Sequence, residues 1–335
     1  MASIYDVAKA AGTSIATVSR VLNGNTRVRD FTRQQVLKAV AELDYHPNTL
    51  AQSLVRKTTR TVALVVPDIS NPFFPEVARG VEDMANQAGY NVILCNSDDS
   101  TQKEIEYCRV MRTRRVDGLI FALVASETSP VKTLLKAGVP VVLIDRDAGG
   151  LTVDAVVTDN LKGGMTAAHH LVGLGHTRIG CITGPLSAEP AASRLNGFRQ
   201  VLEPQGLFRS EYVVEGDFRQ SGGYLGMKRL LELPEPPTAV FACNDMMALG
   251  AMAALDEAGR RVPQDVALVG YDDILVASLT RPQLTTVAQP KYEMGWMAME
   301  VLLKRIAQTP DAPQRVVLQP RLVVRGSTVI AERRQ

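Results

Sequence analysis

This 335-residue chain has only four cysteines, and they are not spaced as a metal site or a disulfide framework would require. Cys95, Cys108, Cys181 and Cys243 are scattered along the chain, which predicts reduced thiols in or near a core and disfavours a secreted protein. No apolar run approaches the ~18 residues of a membrane span, and no basic segment followed by an apolar one opens the chain. We therefore expect a cytoplasmic protein.

Sequence motifs of enzymes are also missing. No Ser-His-Asp order, metal box or glycine-rich nucleotide loop stands out. His169, His170 and His176 have no second ligand three or four residues away, and adjacent side chains of a helix point in different directions. Gly163-Gly164 and Gly173-Leu174-Gly175 are interpreted as turn and cap glycines, not as a phosphate cradle. We predict no enzyme, no metal and no cofactor.

Charge is nearly balanced over the whole chain but unevenly distributed along it. The formal net charge is +2, whereas residues 1–60 hold nine basic and four acidic side chains and are therefore near +5. The remainder is near −3, since +2 less +5 leaves that value. A basic segment on a weakly acidic body is the electrostatic footprint of a phosphate-binding module.

The same segment carries the pattern of a helix-turn-helix. Ser3 can cap a first helix that ends near Ala10, and Ser14 can cap a second helix over residues 15–22. A third helix is predicted from about Thr32 to Tyr45, and the following His46-Pro47 ends it.

The second helix has a face suited to nucleic acid. Its polar side chains can hydrogen-bond phosphates or base edges, and the apolar pair at its N-terminal tip suits thymine methyl groups. A small helical bundle without a DNA partner is the alternative, which the local charge disfavours. The predicted DNA-contacting residues here are Ser14, Ile15, Ala16, Thr17, Ser19, Arg20 and Asn23.

From Thr61 onward, short Val/Ile/Leu-rich runs alternate with helical patterns, as in parallel sheets with crossover helices. Ligands of such sheets bind beyond the carboxyl ends of the strands. The predicted strands are 62–66, 91–95, 118–121, 139–144 and 155–158 in a first lobe, and 179–183, 211–214, 239–242 and 267–271 in a second. Polar clusters follow several of them, at 68–74, 145–146, 244–245 and 272–273.

Residues 4–8, 17–21 and 48–54 resemble the LacI/GalR family of bacterial transcription regulators, and the resemblance extends through the whole chain. It implies a repressor that binds palindromic double-stranded operator DNA as a homodimer under the control of a small-molecule effector. Residues 48–55 resemble the family's hinge helix, with Asn48, Ala51 and Leu54 as the implied DNA contacts and Leu54 as an apolar wedge in the minor groove. The chain lacks the leucine heptads that tetramerise the lactose-type member, so a dimer is expected.

The resemblance also implies the fold class: α/β, with an N-terminal helix-turn-helix head (1–47), a hinge helix and linker (48–60), and a two-lobed body with parallel sheets like the type I periplasmic binding proteins (61–335). The chain should cross between the lobes near Asp159, Val287 and Pro320. Lobe one would then hold approximately 61–158 and 288–320, and lobe two 159–287 and 321–335. The last helix of lobe one should be 292–306, and residues 316–324 should return toward lobe two.

Comparison with ribose-binding proteins and ribose repressors implies a sugar cage of two carboxylates, two guanidiniums, three amides and three rings. Its members are Asn71, Phe73, Phe74, Asp145, Arg146, Arg194, Phe218, Asn244, Asp272 and Gln289. Purine-responsive relatives carry an additional arginine before the residue matching Arg194, where this chain has the non-basic stretch 186–190. D-ribose acting as inducer is therefore the expected effector; another pentose, a hexose or a purine is the alternative, and a sugar-processing enzyme is a distant one.

Overall fold

The computed structural model describes residues 2–22, 27–45, 58–122, 128–146, 151–308 and 312–329. The chain divides into two compact units, Met1–Thr59 and Arg60–Gln335, called here the head and the body. Within the described residues, no helix is both long enough and apolar enough to cross a membrane.

The head is a helix-turn-helix, as predicted. Ser3 caps the first helix in a capping box, in which Asp6 N donates to Ser3 Oγ at 3.3 Å and Ser3 N donates to the Asp6 carboxylate at 2.8 Å. The three helices bury a common core around Val7, Val18 and Val36. Their bounds are α1 Ile4–Ala10, α2 Ile15–Leu22 and α3 Asp30–Glu42.

The third helix differs from the prediction, since it begins two residues earlier and ends three residues earlier than the expected span from Thr32 to Tyr45. Asp30 occupies its first turn, where the helix dipole favours a carboxylate. The predicted hinge contacts Asn48, Ala51 and Leu54, and Asn23 in the head, lie outside the described residues.

The body contains two six-stranded sheets, and the predicted parallel strands are confirmed. In lobe one the strand order is β2-β1-β3-β4-β5-β11, and in lobe two it is β7-β6-β8-β9-β10-β12, with only β12 antiparallel to its neighbour. The strands are β1 Thr61–Val66, β2 Asn91–Asn96, β3 Gly118–Phe121, β4 Val141–Ile144, β5 Asp154–Thr158, β6 Ile179–Thr183, β7 Val213–Glu215, β8 Ala239–Ala242, β9 Ala267–Asp272, β10 Thr285–Ala288, β11 Arg315–Leu318 and β12 Arg321–Val323.

Helices cover both faces of each sheet, which explains why most strands are apolar along their whole length. In lobe one, the pair α4 and α11 packs on one face and the pair α5 and α6 on the other. The helices of the body are α4 Phe73–Gln87, α5 Thr101–Thr113, α6 Ser129–Lys136, α7 Asn160–Gly173, α8 Glu189–Leu202, α9 Gln220–Leu231, α10 Asp245–Glu257 and α11 Lys291–Ile306.

One of the three lobe crossings differs slightly from the prediction. Val287 lies inside β10, a strand of lobe two's sheet that the sequence analysis missed, so the chain leaves that lobe at Gln289-Pro290. The crossing predicted near Pro320 agrees with the strand pairing, because β11 pairs with β5 of lobe one and β12 pairs with β10 of lobe two. The remaining crossing follows β5, at Asp159.

The interpretation of Gly163 and Gly164 as turn glycines is wrong, since both lie inside α7. A Cβ at Gly164 would come within 2.0 Å of the carbonyl oxygen of Arg194 on α8, so glycine is needed for the two helices to approach each other. Gly173 does end α7, and Gly175 follows it with φ +86°, a conformation that favours glycine.

The same close approach recurs in three helix pairs, each with one glycine on either helix facing the partner's backbone. A Cβ at any of these glycines would lie between 1.9 and 2.1 Å from a backbone oxygen of the other helix. The pairs are Gly80 and Gly295 between α4 and α11, Gly164 and Gly197 between α7 and α8, and Gly223 and Gly250 between α9 and α10.

Candidate functional site

A cavity of about 330 Å³ lies between the two lobes, at the carboxyl ends of their strands. The structure brings to its wall every residue of the predicted sugar cage, from both lobes. These residues are Asn71, Phe73, Phe74, Asp145, Arg146, Arg194, Phe218, Asn244, Asp272 and Gln289.

Lobe one supplies an aromatic wall and a charged pair. Phe73 and Phe74 open α4 and meet edge to face, with ring centroids 5.0 Å apart. Asn71 orients them, because its Oδ1 accepts a hydrogen bond from Phe73 N at 3.1 Å. Asp145 and Arg146 follow β4, and Arg146 Nε lies 3.7 Å from an Asp145 carboxylate oxygen. Asp145 has φ +63°, so its side chain is held in place by an uncommon backbone conformation.

Arg194 of α8 is fixed on lobe two by contacts on several sides. Its Nη1 donates to Cys243 O at 2.6 Å and its Nε to Asn160 Oδ1 at 2.8 Å. Its guanidinium carbon lies 3.8 Å from the centroid of the Tyr271 ring, a cation–π contact. Gly163 makes room for that ring, since a Cβ there would lie 2.3 Å from the Tyr271 hydroxyl.

Asp272 and Gln289 form a second polar group on lobe two. Gln289 Nε2 donates to Asp272 Oδ1 at 2.8 Å. Gln289 Oε1 is buried and has no hydrogen-bond partner among the described residues. A buried carbonyl oxygen without a donor is costly, so this atom is suited to accept a ligand hydroxyl.

Asn244, a predicted hydroxyl partner of the ligand, lines the cavity and also makes two local hydrogen bonds. Its Oδ1 accepts from Met247 N at 2.9 Å and so caps α10, while its Nδ2 donates to Phe218 O at 2.8 Å. Asn244 thereby positions Phe218, whose backbone has φ +63°. The Phe218 ring packs over Gly184, where a Cβ would come within 2.2 Å of it.

The cavity buries two carboxylates beside two guanidiniums. Burial raises the pKa of Asp145, although Arg146 and Arg194 oppose the shift. Burial likewise raises the pKa of Asp272 to about 6, again opposed by Arg194. Behind the cavity wall, burial and the nearby Asp272 charge raise the pKa of Asp245 to about 8. With all four cavity groups ionised, their charges cancel, so the cage suits a neutral ligand rich in hydroxyl groups.

Several lining residues were missed by the sequence analysis. Asp68, Asp99, Asp217 and Arg219 also stand around the cavity, and none of them was predicted as a member of the cage, although Asp68 belongs to the predicted polar cluster 68–74. The stretch 186–190 does reach the cavity through Ser187, Ala188 and Pro190, so its lack of a basic residue leaves this part of the wall uncharged.

The head presents part of its predicted DNA-contacting set to solvent. Ile15, Ala16 and Arg20 are exposed, whereas Thr17 and Ser19 are half-buried. Ser14 is exposed and caps α2, because Thr17 N donates to Ser14 Oγ at 3.2 Å. The two hydroxyl oxygens of Ser14 and Thr17 also lie 2.9 Å apart.

The histidines and cysteines have structural surroundings. His170 Nε2 lies 2.9 Å from Thr328 Oγ1, and His176 Nδ1 lies 3.0 Å from Thr238 Oγ1. The four cysteines are buried thiols, and burial raises the pKa of Cys95 to about 11. Among the described residues, no group of acidic, histidine or cysteine side chains is arranged to hold a metal ion.

Comparison with known proteins places both units in one family. Residues 3–48 match the model for bacterial regulatory proteins of the lacI family, and residues 168–328 match that of the periplasmic binding protein-like domain. The chain is 40% identical over 330 residues to the HTH-type transcriptional regulator DegA of Bacillus subtilis, covering 97% of this chain and 98% of that one. It is 41% identical over 331 residues to the ribose operon repressor of Escherichia coli, covering 98% and 100%.

Solved structures agree with this. A lac repressor dimer bound to operator and the anti-inducer ONPF matches with a TM-score of 0.89 at 30% identity, over 98% of this chain and 99% of that one. A LacI family transcriptional regulator from Enterococcus faecium with bound ribose matches with a TM-score of 0.73 at 35% identity, over 81% and 100%. The proteins compared are transcriptional regulators rather than enzymes, as the sequence analysis predicted. This chain belongs to the lacI family of bacterial regulatory proteins and is a transcriptional repressor of that family.

Proposed function

We propose that this repressor binds a palindromic operator as a homodimer in the cytoplasm and releases it when D-ribose fills the cavity between its lobes. The observation that carries the choice of ligand is the cavity wall, where buried charges of both signs cancel and aromatic rings line one side. A sugar would present its hydroxyl groups to the buried charged side chains and its C–H faces to the aromatic rings.

The polar groups on lobe two support a ligand with several hydroxyls. Gln289 Oε1 is a buried acceptor to which no described residue donates, and Asp272 is a buried carboxylate. Hydrogen bonds to charged groups contribute roughly 1.5 to 3 kcal/mol each, so the carboxylates and guanidiniums should supply most of the affinity. The similarity to a ribose operon repressor and to a ribose-bound regulator favours a pentose over other sugars.

A purine is the main alternative effector. The cavity wall at Ser187, Ala188 and Pro190 carries no arginine of the kind that purine-responsive relatives have there. A purine bound in this cavity would therefore lack one of its expected contacts.

The mechanism we propose couples lobe geometry to the paired hinge segments. The effector must bind one lobe arrangement better than the other in order to shift the balance between them. Ribose would favour an arrangement in which the hinge segments, including Leu54, no longer fold on the operator. Induction rather than corepression follows from the similarity to ribose repressors.

Exposed apolar side chains on both lobes support the homodimer. Leu275 and Leu279, at the two ends of a 3₁₀ turn on lobe two, are 71% and 63% exposed, which is unusual for leucine. Lobe one exposes Leu94 and Ile105. A twofold dimer would cover such surfaces and would match the symmetry of a palindromic site.

Calorimetric titration of the purified protein tests the effector. We expect D-ribose to bind with a micromolar Kd, about −8 kcal/mol, and to bind more tightly than arabinose, xylose, glucose, hypoxanthine or guanine. Operator binding measured with and without ribose then tests the sign, since tighter DNA binding with ribose would refute induction. Binding of a purine with no response to ribose would overturn the proposed effector and keep the repressor.

Arg20 offers a test of the DNA-contacting face. It is exposed on α2, in the head's basic segment. If it contacts a phosphate, as we propose, Arg20→Ala should weaken binding to all DNA sequences and reduce the slope of log K against log[salt] by about 1. Arg229→Ala, which changes an exposed arginine on α9 of the body, is the matched control. An unchanged affinity and salt slope in Arg20→Ala would remove this residue from the interface.

A further inference from the structure

Arg219 connects the two lobes across the mouth of the cavity. It lies on lobe two between Phe218 and the start of α9. Its Nη2 donates to Asp99 Oδ2 at 3.0 Å, and its Nε lies 3.8 Å from an Asp68 carboxylate oxygen. Asp68 and Asp99 both belong to lobe one, following β1 and β2. One guanidinium therefore binds two carboxylates of the opposite lobe.

The ion bridge formed by Arg219 lies beside the cavity that contains the cage residues. Arg219 lines the main cavity and also a second cavity of about 250 Å³ beside it. Asp68, Asn71 and Phe218 are shared by the two cavities as well. Arg219 thus borders both the cage and the neighbouring cavity, and its side chain is partly exposed to solvent.

Local contacts hold the arginine in place on lobe two. Arg219 N donates to Asp217 Oδ1 at 2.8 Å, and the preceding carbonyl, Phe218 O, accepts from Asn244 Nδ2 at 2.8 Å.

The acceptors on lobe one are fixed in the same way. Asp68 Oδ1 accepts from Ser70 N at 2.9 Å and from Ser70 Oγ at 2.6 Å, while Asp99 N donates to Pro67 O at 3.1 Å. Since each of these contacts lies within one lobe, they hold the backbone beside Arg219, Asp68 and Asp99 independently of the bridge, and forming the bridge costs mainly the rotamer freedom of the Arg219 side chain.

We propose that Arg219 is a gate residue, which binds Asp99 and Asp68 when the lobes approach and slows the release of the ligand held in the cage. In this proposal the identity of the ligand rests on the proposed function, whereas the contact of Arg219 with Asp99 and Asp68 does not. Arg219 binds no atom of the cage, so it acts by positioning the lobes rather than by recognising the sugar.

The size of the effect follows from exposure. The Arg219 side chain is 55% exposed, and ion pairs in that setting are screened by water and salt. Exposed ion pairs are weak, so loss of both should speed ligand release by only about threefold to tenfold. The effect should shrink at high ionic strength, unlike that of the buried cage residues.

The first experiment compares Arg219→Ala with Arg209→Ala. Arg209 is also an exposed arginine of lobe two, but it pairs with Glu235 of the same lobe, so its loss leaves the lobe contact intact. Release of ¹³C-labelled D-ribose, measured by NMR exchange, should be threefold to tenfold faster in Arg219→Ala and unchanged in Arg209→Ala. Asp99→Asn, which keeps the arginine, should show an intermediate rate. Equal release rates in all variants would overturn the gate.

A second readout needs no ligand. In the sugar-free full-length protein, hydrogen–deuterium exchange of residues 67–71 on lobe one should speed up in Arg219→Ala and not in Arg209→Ala. If the wild type fails to bind ribose but this exchange changes, the proposed effector is wrong and the lobe contact stands. If ribose binds and neither release nor exchange changes, the gate is wrong and the effector stands.

Discussion

Replacing Asp272 with alanine is expected to weaken D-ribose binding by about 100-fold or more while leaving operator binding without sugar unchanged. Asp272 is 3% exposed, and its carboxylate faces the cavity beside Arg194 and Gln289. A carboxylate that accepts two sugar hydroxyls contributes roughly 3 to 6 kcal/mol in hydrogen bonds to a charged group. Calorimetry measures the loss, and Asp256→Ala, an exposed carboxylate on α10, is the control. Ribose binding within tenfold of wild type would remove Asp272 from the cage.

The pH dependence of ribose binding tests the same side chain by another route. Burial raises the pKa of Asp272 to about 6, so the ligand-free protein binds a proton there below that pH. If ribose binds the ionised form, the Kd at pH 5 should be about tenfold higher than at pH 7, by one-proton linkage. Asp272→Asn should flatten the profile. Burial also raises the pKa of Asp145, which lines the same cavity, and of Asp245 behind its wall, and any slope that survives in Asp272→Asn would belong to these two groups.

The contribution of Asp272 to the stability of the ligand-free protein should fall as the pH rises, whereas its contribution to ribose binding should increase. A carboxyl group whose folded pKa lies above its unfolded value binds protons more tightly in the folded state. The stability that Asp272 contributes is complete below pH ~4 and is lost as the pH rises through the folded pKa, so in the ligand-free protein this contribution should disappear between about pH 4 and pH 6. The ionised Asp272 carboxylate thus destabilises the ligand-free protein in the same pH range in which it strengthens ribose binding.

The parts of the fold that the sequence predicts well are those set by short-range patterns. Helix α2 is a case, since Ser14 caps it and Val18 and Val21 recur at helical spacing. The apolar strands of the body are also predicted well. Helices bury both faces of these strands, so each strand is a short continuous apolar run in the sequence. The cage residues were implied by the resemblance to ribose-binding proteins and ribose repressors, and several of them follow those strands.

The missed features depend on partners distant in sequence. Strand β10 has the sequence Thr-Thr-Val-Ala, which is less apolar than predicted strands of the same length such as β3, and it is a strand because β9 and β12 flank it. Arg219 and Asp99 are separated by 120 residues and meet only when the lobes are in place. Likewise, nothing near Gly164 shows that Arg194 will press its carbonyl against it.

Replacing Gly250 with alanine is expected to destabilise the body by about 3 kcal/mol, although alanine favours helices over glycine by about 1 kcal/mol. A Cβ at this position would lie 1.9 Å from Gln220 O and 2.7 Å from Tyr224 N, both backbone atoms of α9. Backbone cannot rotate away as a side chain can, so α9 and α10 must separate, and they lose packing along their whole contact.

Gly173→Ala is the matched control and should give the opposite sign. Gly173 is the last residue of α7 in the same lobe, and a Cβ there would meet no atom within 4 Å. The gain in helix propensity is then unopposed, so this variant should unfold at an equal or higher urea concentration than wild type. The two substitutions are chemically identical, and a difference in sign can come only from the opposing helix. Equal midpoints in Gly250→Ala and Gly173→Ala would show that α9 and α10 tolerate a methyl group between them.

The separation of α9 and α10 in Gly250→Ala should also disturb the cavity, because both helices begin at the cavity wall. Asn244 caps α10 and holds Phe218, and Arg219 precedes α9. Gly250→Ala should therefore weaken ribose binding at temperatures where the protein is still folded, whereas Gly173→Ala should not. Because the clash lies against the first turn of α9, close packing of these two helices sets the position of the residues that contact or enclose the ligand.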